Sequence, residues 1–174
     1  VYYDVALVQL SSPVTNVEPA AMDLDNVASS YPDKAYRLRV MGFGIVDFYV
    51  PFDDLNVLSD DDFWGSHAVS SERLMHAMMH YYPNDKCHDY WMSKAGYDVS
   101  DDMMCTLRPG VSSCDGDSGA PIWDPQLKII VGVTSWGAPY CQTAAPSVGA
   151  RVGYGGPEWI VEVVCGNESV GLAK

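Results

Sequence analysis

The chain has 174 residues, 48% of them hydrophobic and 19% charged, with a formal net charge of −13. That is enough for one ordinary domain core, and the acidic balance argues against binding nucleic-acid phosphates through bulk charge. No run of 18 or more apolar residues occurs, so no membrane span is expected.

The opening Val1-Tyr2-Tyr3-Asp4 lacks a basic region followed by an apolar core, so it does not read as a signal peptide. With no initiator Met, it reads as the start of a mature, cut or truncated chain. Val5-Ala6-Leu7-Val8-Gln9-Leu10 follows, a short apolar run bounded by Ser11-Ser12-Pro13, and has the composition of a strand. Residues 11–36 hold prolines and polar clusters without a period and read as a linker. Tyr36-Arg37-Leu38-Arg39-Val40-Met41 alternates polar and apolar and stops at Gly42-Phe43-Gly44, which predicts a strand.

Residues 45–71 are acidic and aromatic, with Asp53-Asp54 and Asp60-Asp61-Asp62, and show no period. They read as a long, solvated surface insertion. Their carboxylate spacing does not match an EF-hand calcium loop. His76 and His80 are four apart, which fits one face of a helix or, four being even, one face of a strand. A metal there needs a third ligand that the sequence does not offer, so both read as exposed or partly packed. Pro83-Asn84 reads as a break before a short helix at 85–92. Lys128–Thr134 is a β-branched run with the length of a buried strand, and Pro157–Val164 predicts a closing helix with proline in its first turn. Many short strands with Gly/Pro turns suggest an all-β barrel or sandwich.

Five cysteines occur, Cys87, Cys105, Cys114, Cys141 and Cys165. None forms a C-x-x-C pair, which disfavours a zinc ribbon. The odd number leaves one thiol unpaired or bonded outside the chain. Asn167-Glu168-Ser169 matches the N-glycosylation pattern, relevant only to a secreted protein. No cofactor and no metal are expected.

Chemistry concentrates at Cys114-Asp115-Gly116-Asp117-Ser118-Gly119-Ala120-Pro121. A serine hydroxyl is a weak nucleophile and needs a base and an oxyanion site. Small flanking residues let the backbone turn tightly and aim N–H groups at one point, and glycine allows positive φ. This stretch resembles the nucleophile loop of the trypsin/chymotrypsin family of serine endopeptidases, with Ala120 where a second Gly is usual. Thr134-Ser135-Trp136-Gly137 is similar to that family's substrate-lining strand. Val40-Met41-Gly42-Phe43-Gly44 resembles its lead-in to the second barrel, with Phe43 for a common Trp. Asp4-Val5-Ala6-Leu7 is similar to the segment with the catalytic aspartate, and Trp159-Ile160 to the closing helix. The matches follow the family's order along nearly the whole chain.

The resemblance implies a chymotrypsin-like double β-barrel, of which this chain holds the second barrel, the last strand of the first, and a C-terminal helix. Residues 1–12 are then a remnant of the first barrel, 13–36 the inter-barrel linker, and 37–174 the second barrel with its acidic insertion and helix. It implies a secreted endopeptidase acting on polypeptides. Ser118 is then the nucleophile, the N–H groups of Gly116 and Ser118 the oxyanion hole, and Asp4 the residue orienting a catalytic histidine. Asp117 would pair with a new N-terminus after activation. Cys87 would bond Cys105 and Cys114 would bond Cys141, leaving Cys165. A further family bridge is absent on both sides, where Leu38 and Asp124 stand.

Ser112 would form the floor of the specificity pocket, where a tryptic preference needs a carboxylate. Ser135, Trp136 and Gly137 would line the substrate, with Gly137 leaving the wall open and Ser147 narrowing it, a shape suited to medium or large apolar side chains. Asp115 at the rim would be screened. The family's histidine precedes the aspartate, in a segment resembling Ala-Ala-His-Cys. His67, His76, His80 and His88 all follow Asp4 in other contexts, and none is assigned as base. The implied partner is an N-terminal segment carrying that histidine, without which the chain alone is expected to be inactive. The competing reading is a non-catalytic homologue that binds a partner. An α/β-hydrolase is excluded because no histidine follows Ser118.

Overall fold

The computed structural model describes residues 3–31, 36–48, 68–154 and 157–165, without the side chains of residues 48, 157, 158 and 165. Nine strands occur among them: β1 (Ala21–Met22), β2 (Arg37–Gly42), β3 (Ile45–Phe48), β4 (Ala68–Ser70), β5 (Met75–Tyr82), β6 (Met103–Leu107), β7 (Pro121–Asp124), β8 (Ile129–Trp136) and β9 (Ser147–Arg151). Two α-helices, α1 (Asn84–Ala95) and α2 (Pro157–Cys165), complete the set.

Six strands close into an antiparallel barrel in the order β2-β5-β6-β9-β8-β7, with β7 back on β2. Closure removes the free edges that would otherwise expose unpaired backbone groups. Alternation in β2 and β5 places Leu38, Val40, Met79 and Tyr81 inside, where Met104, Ile122 and Val131 meet them. The expected strands at 36–41 and 128–134 therefore form, each shifted or lengthened slightly. His76 and His80 lie on β5, paired with Met41 and Arg37. The strand reading of their spacing holds because the partners β2 and β6 take up both edges of β5.

A second cluster seats α1. Trp91 packs its ring 5.0 Å from Trp136 and 5.3 Å from Tyr90, over the disulfide between Cys87 and Cys105. Helix α1 ends at Gly96, whose φ of 69° lets its N–H cap the last turn on Met92.

The linker is more built than its composition suggests. β1 pairs in parallel with β8, and Asp23, 1% exposed, accepts the N–H groups of Val27 and Ala28 at 2.9 and 3.0 Å to start a 3₁₀ turn at Val27–Ser30. Tyr31 and Tyr36 stack with centroids 4.1 Å apart. Their hydroxyls both donate to Asp124 Oδ2, at 2.6 and 2.9 Å, while the Gln126 and Leu127 N–H groups donate to Oδ1 at 2.7 and 3.0 Å. The register that pairs Arg39 with Trp123 brings Leu38 opposite Asp124, and both are 0% exposed. Where the family resemblance marks a lost bridge, the chain thus puts a buried aliphatic residue beside a saturated carboxylate. Burial pushes the Asp124 carboxyl up, but the hydrogen bonds outweigh it and hold the group below its usual range. Burial and the bond to Asp124 push the Tyr36 hydroxyl up to about 12, and Tyr31 well up in the same direction.

Two expectations change. Val5–Leu10 does not pair as a strand, and Leu7, Val8 and Leu10 are exposed. A strand needs a neighbour to take its N–H and C=O groups, and none lies alongside among the described residues. The acidic insertion is not loop throughout, because β3 and β4 pair as a two-stranded ribbon at its base. Its residues 49–67, His67 included, lie outside the described residues, as do Asn167 and the side chain of Cys165.

Candidate active site

Ser118 sits on the turn between the Cys114–Cys141 disulfide and β7. Gly116 and Gly119 flank it with φ of +90° and +84°, a backbone state side chains rarely adopt. The turn is locked by three bonds: Asp117 N–H to Cys114 O, Ala120 N–H to Asp117 O, and Gly119 N–H to Thr134 O, each 2.9 Å. The N–H groups of Gly116 and Ser118 donate to no acceptor among the described residues.

Asp117 points away from this face. Its Oδ1 accepts the Gly44 N–H at 2.8 Å and its Oδ2 the Cys114 N–H at 3.0 Å. A Cβ on Gly42 would lie 2.0 Å from Asp117 Oδ1, so the Gly42-Phe43-Gly44 turn is in direct packing with the serine loop. The sequence shows both glycines but not that they meet Asp117.

Beside Ser118 opens a pocket of about 240 Å³, walled by Ser113 and Cys114 on one side and by Ser135, Trp136 and Gly137 on the other. Ser112 and Ser147 are not among its lining residues. Their hydroxyls lie 3.3 Å apart, and Ser112 also donates to the Ser113 carbonyl at 2.8 Å. A Cβ on Gly137 would meet only Ser147, at 3.9 Å. Asp115 is exposed at the rim. A second, apolar groove leads from Ser118 in the other direction, past Gly116 and Pro121 to Met41, Phe43 and Leu74.

Asp4 reaches this face from the N-terminal segment. Its Oδ2 accepts the Ser135 hydroxyl at 2.5 Å, across 131 residues. Ser118, Gly116, Ser135, Trp136 and Gly137 thus meet at one face, with Asp4 joined through Ser135. The three histidines among the described residues do not join them: His88 lies 3.0 Å from Asp98, while His76 and His80 stand on β5. Sequence reasoning missed Asp102, which holds Tyr3 next to Asp4, and the support of Trp136 by Trp91. Neither leaves a local pattern, although Trp91 on a short helix after a cysteine is a signal for packing onto the barrel.

Among the described residues one group of metal-ligand types converges, Cys114, Asp115 and Cys141. Its two sulfurs are bonded to each other, so they offer no thiolate.

Residues 62–156, more than half of the chain, match the Trypsin family model. A chymotrypsin-like serine proteinase from Haliotis rufescens is 36% identical over 69 residues, which are 40% of this chain and 26% of that protein. The solved structure of neuropsin, a serine protease expressed in the limbic system of mouse brain, superposes with a TM-score of 0.61 at 22% identity, over 89% of this chain and 58% of that one. The chain therefore spans about a quarter of the curated relative it matches and somewhat over half of the solved one. A closed six-stranded barrel with a C-terminal helix, matched over more than half the sequence by one family model, places this chain in the trypsin family.

Proposed function

We propose that this chain carries the nucleophile side of a serine endopeptidase site, with Ser118 as nucleophile. The observation that carries the reading is the Ser118 turn itself. It presents a hydroxyl and two N–H groups, those of Gly116 and Ser118, that have no acceptor among the described residues, beside a pocket walled by Ser113, Ser135, Trp136 and Gly137 with Asp115 at its rim. Such N–H groups stabilise the oxyanion of an acyl-transfer intermediate. Asp4, fixed on Ser135, is the carboxylate that orients the base and stabilises its charged form. The base is a histidine supplied from outside residues 1–174, upstream of Asp4 in the family's order. Asp117, already turned towards Gly44 and Cys114, is the acceptor for a newly cut N-terminus.

Ser112 and Ser147 do not line this pocket, but they adjoin Ser113 and Gly137, which do, and in the family's order they close its inner end. Their paired hydroxyls bear no charge, so the carboxylate nearest a Lys or Arg side chain is Asp115, at the exposed rim. The open wall at Gly137 and the closure at Ser147 favour medium or large apolar side chains. Two disulfides support an oxidising, extracellular setting for this reading, in which the Asn167-Glu168-Ser169 pattern would serve glycosylation and Cys165 would pair outside the two bridges.

A fluorophosphonate probe tests the reading on the protein that contains this chain together with its upstream histidine. The expected result is labelling of Ser118, lost in Ser118→Ala with no change in unfolding temperature. Failure to label folded, activated protein overturns the enzyme reading and leaves the non-catalytic homologue, a binding protein. Peptide substrates ending in Leu or Val should be cut faster than those ending in Lys or Arg, and the reverse order overturns the pocket assignment.

A further inference from the structure

Asp102 is a buried carboxylate that the proposed mechanism does not use. It is 5% exposed, yet no cation forms an ion pair with it among the described residues. The neighbouring guanidinium of Arg151 is turned elsewhere, its Nε donating to the Met103 carbonyl at 3.2 Å and one Nη to Asn84 Oδ1 at 3.3 Å, while its other Nη finds no acceptor among the described residues. The Asp102 backbone is fixed by the Arg151 N–H, which donates to its carbonyl at 2.8 Å. Its Oδ1 is held by the Ser100 hydroxyl. Its Oδ2 accepts the Tyr3 N–H at 2.7 Å, across 99 residues. A buried carboxylate must be hydrogen-bonded to be tolerated, and this one meets that need through the residue next to Asp4.

Tyr3 itself is unusual. Its φ is +53°, in the left-handed region, although it is not glycine. The Val5 N–H closes a tight turn on the Tyr3 carbonyl at 2.8 Å, with Asp4 at its centre. The Tyr3 side chain is 63% exposed, so its packing does not offset the cost of that backbone state. Strained states persist where the surroundings over-determine them. Here the surroundings are one anchor before Asp4, from Asp102, and one at Asp4 itself, from Ser135.

We propose that Asp102 is a positioning residue: by clamping the Tyr3 N–H it holds the left-handed turn that aims the Asp4 carboxylate at Ser135 and at the base. This rests on the reading of Asp4 given above. Without the clamp the turn relaxes, Asp4 leaves its alignment, and the base loses orientation while the pocket beside Ser118 stays intact. The effect falls on kcat and spares KM.

The test uses the protein with its upstream histidine and three substitutions. Asp102→Ala should lower kcat by about tenfold or more with KM within about twofold. Asp102→Asn should restore kcat to within about threefold of wild type, because its amide oxygen accepts the same N–H. Ser100→Ala, which frees Oδ1 but leaves the clamp, should fall between. Amide exchange at Tyr3, followed by NMR, should be protected in wild type and about tenfold faster in Asp102→Ala. A folded Asp102→Ala with wild-type kcat, a matching rise in KM, or unprotected Tyr3 in wild type overturns the proposal. Should Asp102→Ala not fold, a wild-type kcat in Ser100→Ala together with a large loss in Asp102→Asn does so. Wild type that fluorophosphonate does not label refutes the enzyme reading instead, and Tyr3 exchange still decides the clamp.

Discussion

Asp124 and Asp102 are both buried carboxylates, and both hold a segment that precedes the barrel, but they do so with different completeness. Asp124 takes four donors, two from the linker tyrosines and two from its own turn. The linker it holds is exposed up to Met22 but then sinks three residues into the core, Asp23 at 1%, Ala28 at 0% and Tyr31 at 8% exposure. Asp102 takes two, and the segment it holds remains largely exposed from Tyr3 to Leu10. In a chain with net charge −13, the interior therefore uses carboxylates as acceptors for N–H and O–H groups rather than as halves of ion pairs. Where the acceptor is saturated, the segment sends residues into the core. Where it is not, the segment is tied at a point.

The largest stability effect should come from the saturated site. Asp124→Asn keeps the size but replaces two acceptor directions with an N–H₂ that faces donors. We expect a loss of about 2–4 kcal/mol in chemical unfolding, with fluorophosphonate labelling of Ser118 unchanged in protein that remains folded. A loss below about 1 kcal/mol would mean that the tyrosines, not the carboxylate, hold the linker.

Gly42→Ala comes next and sharpens the contrast between stability and site. The new methyl group would overlap Asp117 Oδ1, and the cheapest relief is a shift of Asp117 with the loop that carries Ser118. We expect about 1–3 kcal/mol of destabilisation and a fall in Ser118 labelling of about 10²-fold. Equal labelling would show that the loop absorbs the methyl without moving its N–H groups.

These two sites also show what was legible beforehand. The barrel strands were readable because alternation in Arg37–Met41 and the β-branched run before Thr134 reflect which face is buried. The Ser118 turn was readable because tight backbone geometry demands glycines and small residues at fixed positions. Leu38 and Asp124 were readable only as a pair lacking a bridge. What fills the gap depends on Tyr31 and Tyr36, which are 93 and 88 residues from Asp124, and no local pattern encodes that distance. The strand composition of Val5–Leu10 was real, but a strand is a property of a pair, and composition shows only one member.

The acid limb of stability separates the two carboxylates further. Asp124 has a folded pKa below its unfolded value of about 3.9. Its contribution is therefore fully present above about pH 5 and is lost as the pH falls through the folded value. The difference in unfolding free energy between wild type and Asp124→Asn should shrink from pH 5 to pH 3. At the other end, Tyr36 has its pKa raised to about 12, so its contribution is present below about pH 10 and is lost as the pH rises through 12. A wild type whose stability relative to Asp124→Asn does not change between pH 5 and 3 would contradict the lowered carboxyl.

The smallest effect belongs to the loosely tied segment. Val8 is 84% exposed and has no strand neighbour among the described residues, so Val8→Ser removes little buried surface in this chain. We expect a change within about 0.5 kcal/mol in urea unfolding. In a protein that supplies the proposed upstream histidine, we expect Val5–Leu10 to acquire the strand pairing its composition suits, and the same substitution should cost about 1–3 kcal/mol. A cost above about 1.5 kcal/mol in the chain of 174 residues would mean the segment is already packed, and Asp102 would then be one anchor among several. Equal, small costs in both proteins would mean that the segment never joins a sheet, leaving the turn at Tyr3 and the Ser135 hydroxyl to present Asp4.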